Sequence, residues 1–389
     1  MSKCIVEVCL IDEIKAHPNA DKLEIAIIKG WQCITQKGQH RAGDKVVYFP
    51  PDTVIPQVWS DTFGVTQYLS KGRIRSIKLR GEPSFGLMVK VPYEPCSIGD
   101  DLADYFGATK YEPPPVFTSG GQNPRKGHAP KSWVGRLIQK WTWIIFNMEP
   151  DHVPELQAFP VYTEIENLRH FNRIFEPGEP VVVTEKIHGA CCRVGVVAGE
   201  ELAGSHFHRR LRPKAKPTFK TFLKRLFRLE DLSYGEEIAH DYYGYPWSLS
   251  SVQIMLKAMA AQYGDVVLYG EVYGKVQELK YGHPNDVAFA AFDLMVNGKY
   301  LSARDFEHTC DQYAVPRVPV LLMESAFSLE DIKKFSTGKS IVQGADNIRE
   351  GVVIRPMQER THPKLGRVIL KYVGDEYLCS KKCNENKDV

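Results

Sequence analysis

Nothing in this chain is lopsided enough to announce a partner. Its 389 residues hold 50 Lys and Arg against 47 Asp and Glu, a formal net charge of +3. Balance alone therefore points to neither a polyanion nor a membrane surface. No run approaches the ~18 consecutive apolar residues of a membrane-spanning helix. The first residues, Met1 to Leu10, carry Lys3 and Glu7 and do not read as a secretory leader. The nine cysteines include an adjacent pair, Cys191 and Cys192, but no Cys-x-x-Cys. Cys379 and Cys383 lie near the C-terminus with no second pair to complete a zinc site, so reduced thiols are the simpler reading. Internal repeats and long low-complexity tracts are also lacking. These absences predict a soluble, cytoplasmic protein with no membrane contact, and we expect a monomer.

What is present suits ordinary globular cores, with 43% hydrophobic and 25% charged residues in a length sufficient for two domains and a linker. Residues 1–106 look all-β. Short apolar runs at Cys4 to Ile11, Leu23 to Ile28, Lys45 to Phe49 and Gly86 to Val91 alternate with turns such as His17-Pro18-Asn19-Ala20-Asp21 and Ala42-Gly43-Asp44. That spacing predicts a small barrel. Residues 107–158 read as a linker marked by Pro113-Pro114-Pro115, Ser119-Gly120-Gly121 and Asn123 to Gly127. Within it lies a basic, aromatic stretch from Lys131 to Phe146, which would pack on a domain or touch a partner. Residues 159–389 read as mixed α+β. Val252, Met255, Leu256 and Met259 recur at helical spacing, and Ser328-Leu329-Glu330-Asp331 resembles a capping box. Strand-like runs fall at Val266 to Val272, Val287 to Val296, Gly351 to Arg355 and Arg367 to Val373.

The most informative stretch is Pro180-Val181-Val182-Val183-Thr184-Glu185-Lys186-Ile187-His188-Gly189. Val181 to Thr184 read as a buried strand, and Gly189 would supply the backbone freedom to turn after it. Lys186 would then project from a strand end into a cleft, where restricted solvation turns an amine into a nucleophile. Four later apolar runs each carry one polar or aromatic residue of interest. They are Leu268-Tyr269-Gly270-Glu271-Val272, Ala290-Ala291-Phe292-Asp293-Leu294, Arg349-Glu350-Gly351-Val352-Val353 and Val368-Ile369-Leu370-Lys371-Tyr372. Taken singly, each has a plain structural explanation.

Taken in order, the series resembles that of the covalent nucleotidyltransferases, which include the ATP-dependent ligases and the mRNA capping enzymes. Thr184-Glu185-Lys186-Ile187-His188-Gly189, Leu268-Tyr269-Gly270-Glu271 and Gln277-Glu278-Leu279-Lys280-Tyr281-Gly282 are similar to the RNA ligases of the phage and trypanosome editing type. The front segments, His17 to Leu23 and Gly43 to Pro50, resemble an OB-type tRNA-binding domain. An OB-like domain ahead of such a core is the layout of the Deinococcus and Naegleria type of RNA ligase, and the chain is identified as a member of that family. The resemblance implies an α+β fold, with an OB-like β-barrel followed by an ATP-grasp-like ligase core of antiparallel sheets and flanking helices. It implies ATP as substrate, Mg2+ or Mn2+ as cofactor, and RNA ends, including those in a nicked duplex, as partner. Lys186 would be the nucleophile that carries AMP, and Lys371 would contact the α-phosphate. Nucleotide contacts would come from Glu185, Ile187, Gly189, His206, Arg209, Glu271, Phe292, Glu350 and Lys371, with Glu271 and Glu350 also serving the metal and Phe292 stacking on adenine.

The pattern is imperfect. Cys191 stands where these ligases often carry Asn, His206 stands near the place of a usual Arg with Arg209 as a neighbouring candidate, and Ile369 stands where a second lysine is common. The alternatives are therefore a DNA ligase or capping-type enzyme, and a non-catalytic RNA-binding protein with a decayed core. Two basic stretches invite an RNA-phosphate reading: His206 to Lys224, and Lys71 to Arg80 in the front domain.

Overall fold

The structure, a computed structural model, describes residues 5–93, 95–111, 155–171, 173–206, 208–210, 242–363 and 365–380. The expected linker's Pro- and Gly-rich core, the Lys131 to Phe146 stretch and the basic residues beyond Arg210 lie outside the described residues. The chain divides into two compact units that cut across chain order. The first gathers Met1–Pro113, Thr163–Ile187 and Val318–Val389, and the second gathers Pro114–Tyr162 and His188–Arg317.

The front of the first unit is built of short antiparallel strands. Glu7–Leu10, Lys45–Phe49 and Leu87–Lys90 form one three-stranded sheet, and Glu13–Ala16, Leu23–Ile28 and Trp31–Gln36 form another. Val6, Val8, Val47, Phe49, Ile55, Ile74 and Phe106 fill the core. Among the described residues the expected strands are present, but their ladders do not close into one continuous barrel. Pro50 and Pro51 follow the Lys45–Phe49 strand and lack the N–H that would extend its pairing. Side chains stitch part of the gap instead: Ile34 N–H donates to Ser84 Oγ at 3.0 Å, and Gln32 Nε2 donates to the Pro83 carbonyl at 2.9 Å.

The rest of the first unit is a five-stranded sheet in the order Glu166–Asn167, Leu370–Val373, Gly351–Pro356, Pro180–Lys186, Val320–Ala326. Pairing is antiparallel except at Glu166–Asn167, which runs parallel to Leu370–Val373 and departs from the expected all-antiparallel core. Val181, Val183, Val352, Ile354, Leu370 and Tyr372 point to one face and bury against Ile332 of the Leu329–Phe335 helix. Ser328 caps that helix by accepting from the Asp331 N–H at 3.2 Å, which is one half of the expected capping box.

The second unit is a six-stranded antiparallel sheet in the order Arg209–Arg210, Glu200–Ser205, Ala190–Val197, Val266–Gly274, Val287–Val296, Lys299–Tyr300. The Ser250–Tyr263 helix lays Val252, Met255, Leu256 and Met259 on one face of it, against Val194, Leu268, Val272 and Leu294. The Ala303–Tyr313 helix adds Phe306 and Cys310 to the same core. Sequence reading missed the Ala190–Val197 and Glu200–Ser205 strands, whose Gly, Cys and Arg content hides their alternation.

Candidate active site

Side chains alternate along a strand, so directly paired residues share a face. In the first unit Lys186 pairs with Gly351, Thr184 with Val353, and Val353 with Lys371. Val183, Ile354 and Tyr372 belong to the buried core face, so Lys186 and Lys371 both stand on the opposite one. Lys186 ends its strand with its side chain 21% exposed, and its Nζ is ion-paired with Glu350 Oε1. Glu350 is fully buried and immediately precedes the partner strand. Gly351 explains why the strands close here: a Cβ on it would lie 2.4 Å from the Tyr372 carbonyl oxygen and 2.8 Å from Val373 Cα. Tyr372, beside Lys371, has its hydroxyl pushed up to about 12 by burial, with Arg169 pulling the other way.

Glu185 alternates away from Lys186 and is almost wholly buried. Its Oε2 accepts from the Ile341 N–H at 2.9 Å and lies 3.4 Å from Arg349 Nε. Its Oε1 is buried with no hydrogen-bond partner among the described residues. Arg349 is tied in turn to the carbonyls of Thr337 at 3.4 Å and Lys339 at 3.1 Å. Arg349 stands beside Glu350 in the sequence, where nothing marks it for a part. Ile187 is buried and is the last residue of this stretch of the first unit.

In the second unit, Gly189 is required for a reason other than the expected one. It is absent from the residues with positive φ, so turning freedom is not its contribution. A Cβ there would sit 2.3 Å from the Val272 carbonyl oxygen and 2.9 Å from Glu271 Cγ, so only glycine lets the chain pass so close. Glu271 is half-buried and stands in one row between Cys191 and Ala290 on the neighbouring strands. Phe292 is half-buried, with its ring edge-on to Tyr162 at 4.8 Å. The adjoining Asp293 is fully buried and accepts from the Tyr162 hydroxyl at 2.8 Å and from the Leu294 N–H at 3.0 Å. His206 lies just past the Glu200–Ser205 strand, in the reversal closed by Ser205 N–H donating to the His208 carbonyl at 2.8 Å. Arg209 follows on the outermost strand, where its backbone N–H donates to Glu155 Oε1 at 2.5 Å.

Within the first unit, then, Lys186 and Lys371 stand on one sheet face, on the strands flanking Gly351–Pro356, with Glu350 at the start of that middle strand ion-paired to Lys186; within the second, Cys191 and Glu271 face each other on paired strands, with Gly189 packed against Glu271. Sequence reasoning did not foresee the Tyr281 and Gln277 contacts to the backbone at His188 and Gly189. Tyr281 Oη accepts from the His188 N–H at 2.8 Å, and Gln277 Nε2 donates to the Gly189 carbonyl at 3.3 Å. Their only signal was the Gln277 to Gly282 segment itself.

No curated protein sequence matches the chain. Solved structures of the Naegleria gruberi RNA ligase do match in fold. A lysine mutant of it with AMP and Mn aligns with a TM-score of 0.66 at 20% identity, covering 96% of this chain and 98% of that one. The same ligase with PPi aligns with a TM-score of 0.66 at 20% identity, covering 97% and 98%. An OB-fold domain model matches residues 5–91. The RNA ligase model matches residues 179–373, half of the chain and nearly every residue described above, and the protein belongs to the RNA ligase family.

Proposed function

We propose that the protein is an ATP-dependent RNA ligase that joins 3′-OH and 5′-phosphate ends through AMP held on Lys186. The observation that carries this reading is Lys186 at a strand end, paired with buried Glu350 on the sheet face that also bears Lys371. The Naegleria ligase structures with ATP and Mn, with AMP and Mn, and with PPi describe the reactants and products such a lysine would meet.

The lysine must first give up a proton, and Glu350, in contact with the ammonium, is positioned to take it. The free amine attacks the α-phosphorus: an N–P bond forms, the P–O bond to the β-phosphate breaks, and pyrophosphate leaves with the electron pair. AMP then passes to an RNA 5′-phosphate, and attack by the 3′-OH expels it. Such transfers depend on positioning and on neutralising charge, which is the part assigned to Lys371 as a fixed cation. The orphaned Oε1 of Glu185 supports its reading as an acceptor for the adenine amino group. Phe292 is assigned the adenine face, and Ile187, Gly189, His206 and Arg209 further nucleotide contacts.

Among the described residues no three or more His, Cys, Asp or Glu side chains gather as a metal cage. Mg2+ or Mn2+ fits nonetheless, because such an ion keeps waters and needs only one or two carboxylates beside the phosphates. Glu350 in the first unit and Glu271 in the second are each assigned as a carboxylate of the kind that would hold such an ion, which would supply neutralisation of phosphate charge.

The front domain supports RNA, including nicked duplex, as the partner. Between Lys71 and Arg80 there are five cations and no acid, and Lys71, Arg75, Lys78 and Arg80 are exposed. Arg73 is already spent on buried Asp52 and on the Tyr111 ring, 3.8 Å away. His17 and Asn19 bond to the carbonyls of Leu79 and Arg80, fixing that hairpin.

Incubation with α-labelled ATP and Mg2+ or Mn2+ should place label on the wild-type protein and none on Lys186→Ala. Equal label on both, or no label on the wild type, overturns the reading; preferential labelling by GTP would point to a capping enzyme.

A further inference from the structure

Resting on that reading, we propose that Tyr281, assisted by Gln277, is a positioning residue for lysine adenylylation. It fixes the peptide that leaves the nucleophile. Ile187 to Gly189 belong to no strand, so their backbone groups lack a ladder to satisfy them. The loop that follows the Glu271 strand meets two of these groups. Tyr281 Oη accepts the His188 N–H at 2.8 Å, and Gln277 Nε2 donates to the Gly189 carbonyl at 3.3 Å. His188 follows Lys186 by only one intervening residue.

The loop is built to hold that contact. Tyr281 is fully buried and adopts φ +47°, a region that disfavours a bulky L side chain, and Gly282 follows at φ +82°. Strain of this kind persists only where the surroundings over-determine it. Here they do. Leu279 is fully buried, the Tyr281 ring packs edge-on to Tyr273 at 5.4 Å, and Lys280 Nζ donates to the Gln277 carbonyl. Tyr273 itself ends the Val266–Gly274 strand that carries Glu271. A strained tyrosine whose hydroxyl bonds a peptide just past the reactive lysine is a device for orientation, since a slack peptide there would let the amine wander off the line of attack.

The test separates orientation from bulk stability. Sealing of a nick whose 5′ end already carries AMP bypasses the lysine, whereas self-labelling by ATP requires it. Tyr281→Phe removes only the hydroxyl, and Gln277→Leu removes the second contact and serves if the first variant folds poorly. Single-turnover labelling should slow about tenfold for Tyr281→Phe, the rate equivalent of one lost hydrogen bond, with the KM for ATP unchanged and sealing of the pre-adenylylated nick within about twofold of wild type. Labelling at the wild-type rate in both variants, or a parallel fall in both reactions, overturns the clamp. A folded wild type that takes no label would instead refute the ligase reading, and the clamp with it.

Discussion

At the scale of single residues, the Lys186–Glu350 ion pair is the contact on which the proposed chemistry turns. Glu350 is fully buried and Lys186 is 21% exposed, so the pair lies where solvent screens poorly. Removing one member of such a pair is costlier than removing both, because the remaining charge keeps its desolvation penalty. Lys186→Met and Glu350→Gln should therefore each lower stability, and the double variant should lose less than their sum. Urea melts of the four proteins form the cycle, with an expected coupling of about 1–3 kcal/mol. Simple additivity would show that the pair does not hold at rest. Both residues were legible in the sequence as candidates, because motif order named them. Their contact was not, since 164 positions separate them and strand register, invisible in one chain, brings them together. Arg349 was in plain view beside Glu350, yet its ion pair with Glu185 follows from the same register.

Elements were more legible where an apolar run is long and bounded by turns. Leu23–Ile28, Lys45–Phe49 and Val287–Val296 occupy the spans their apolar runs predict, because a run of β-branched and aromatic residues marks a strand whatever its neighbours. The run from Arg367 to Val373 breaks in two instead. Val368 and Ile369 are both buried, so their alternation is lost, and only Leu370–Val373 joins the large sheet. Glycines were readable as positions but not as reasons: Gly189 and Gly351 serve close approach of backbones rather than a turn. A substitution tests this directly. In Gly351→Ala the new methyl would meet two backbone atoms of the neighbouring strand, which cannot swing aside as a side chain can. Destabilisation of about 1–3 kcal/mol or more is expected by thermal melting. Gly199→Ala, at a hairpin turn with open space but φ +78°, should cost only the conformational strain, roughly 1 kcal/mol. An unchanged Tm for Gly351→Ala would mean the strands are not held this close.

On the scale of the whole chain, the first unit joins the front sheets to the strands that carry Lys186 and Lys371, an association across chain order that no local pattern announces. Its fastening is a buried cation. The Arg169 guanidinium lies 4.2 Å from the Trp31 ring and 4.2 Å from the Tyr372 ring, donates to the Val373 carbonyl at 3.2 Å, and pairs with Asp375 at 2.5 Å. Beside it His170 sits 6.3 Å from Trp31, its pKa lowered from 6.5 to about 3 by burial first and then by Lys29, Lys110, Lys371 and Arg169. The sign follows from linkage. The folded imidazole stays neutral while the unfolded one takes a proton below about 6.5, so its contribution is complete above that pH and drains away as pH falls toward 3. The loss is at most about 1.4 kcal/mol per pH unit. His170→Asn removes the titration. From pH 7 to pH 5 the wild type should therefore lose about 1–2 kcal/mol more stability than the variant in urea melts, each protein being compared with itself. Parallel loss in the two proteins would place the acid sensitivity elsewhere and leave His170 out of the fastening between the front sheets and the lysine-bearing strands.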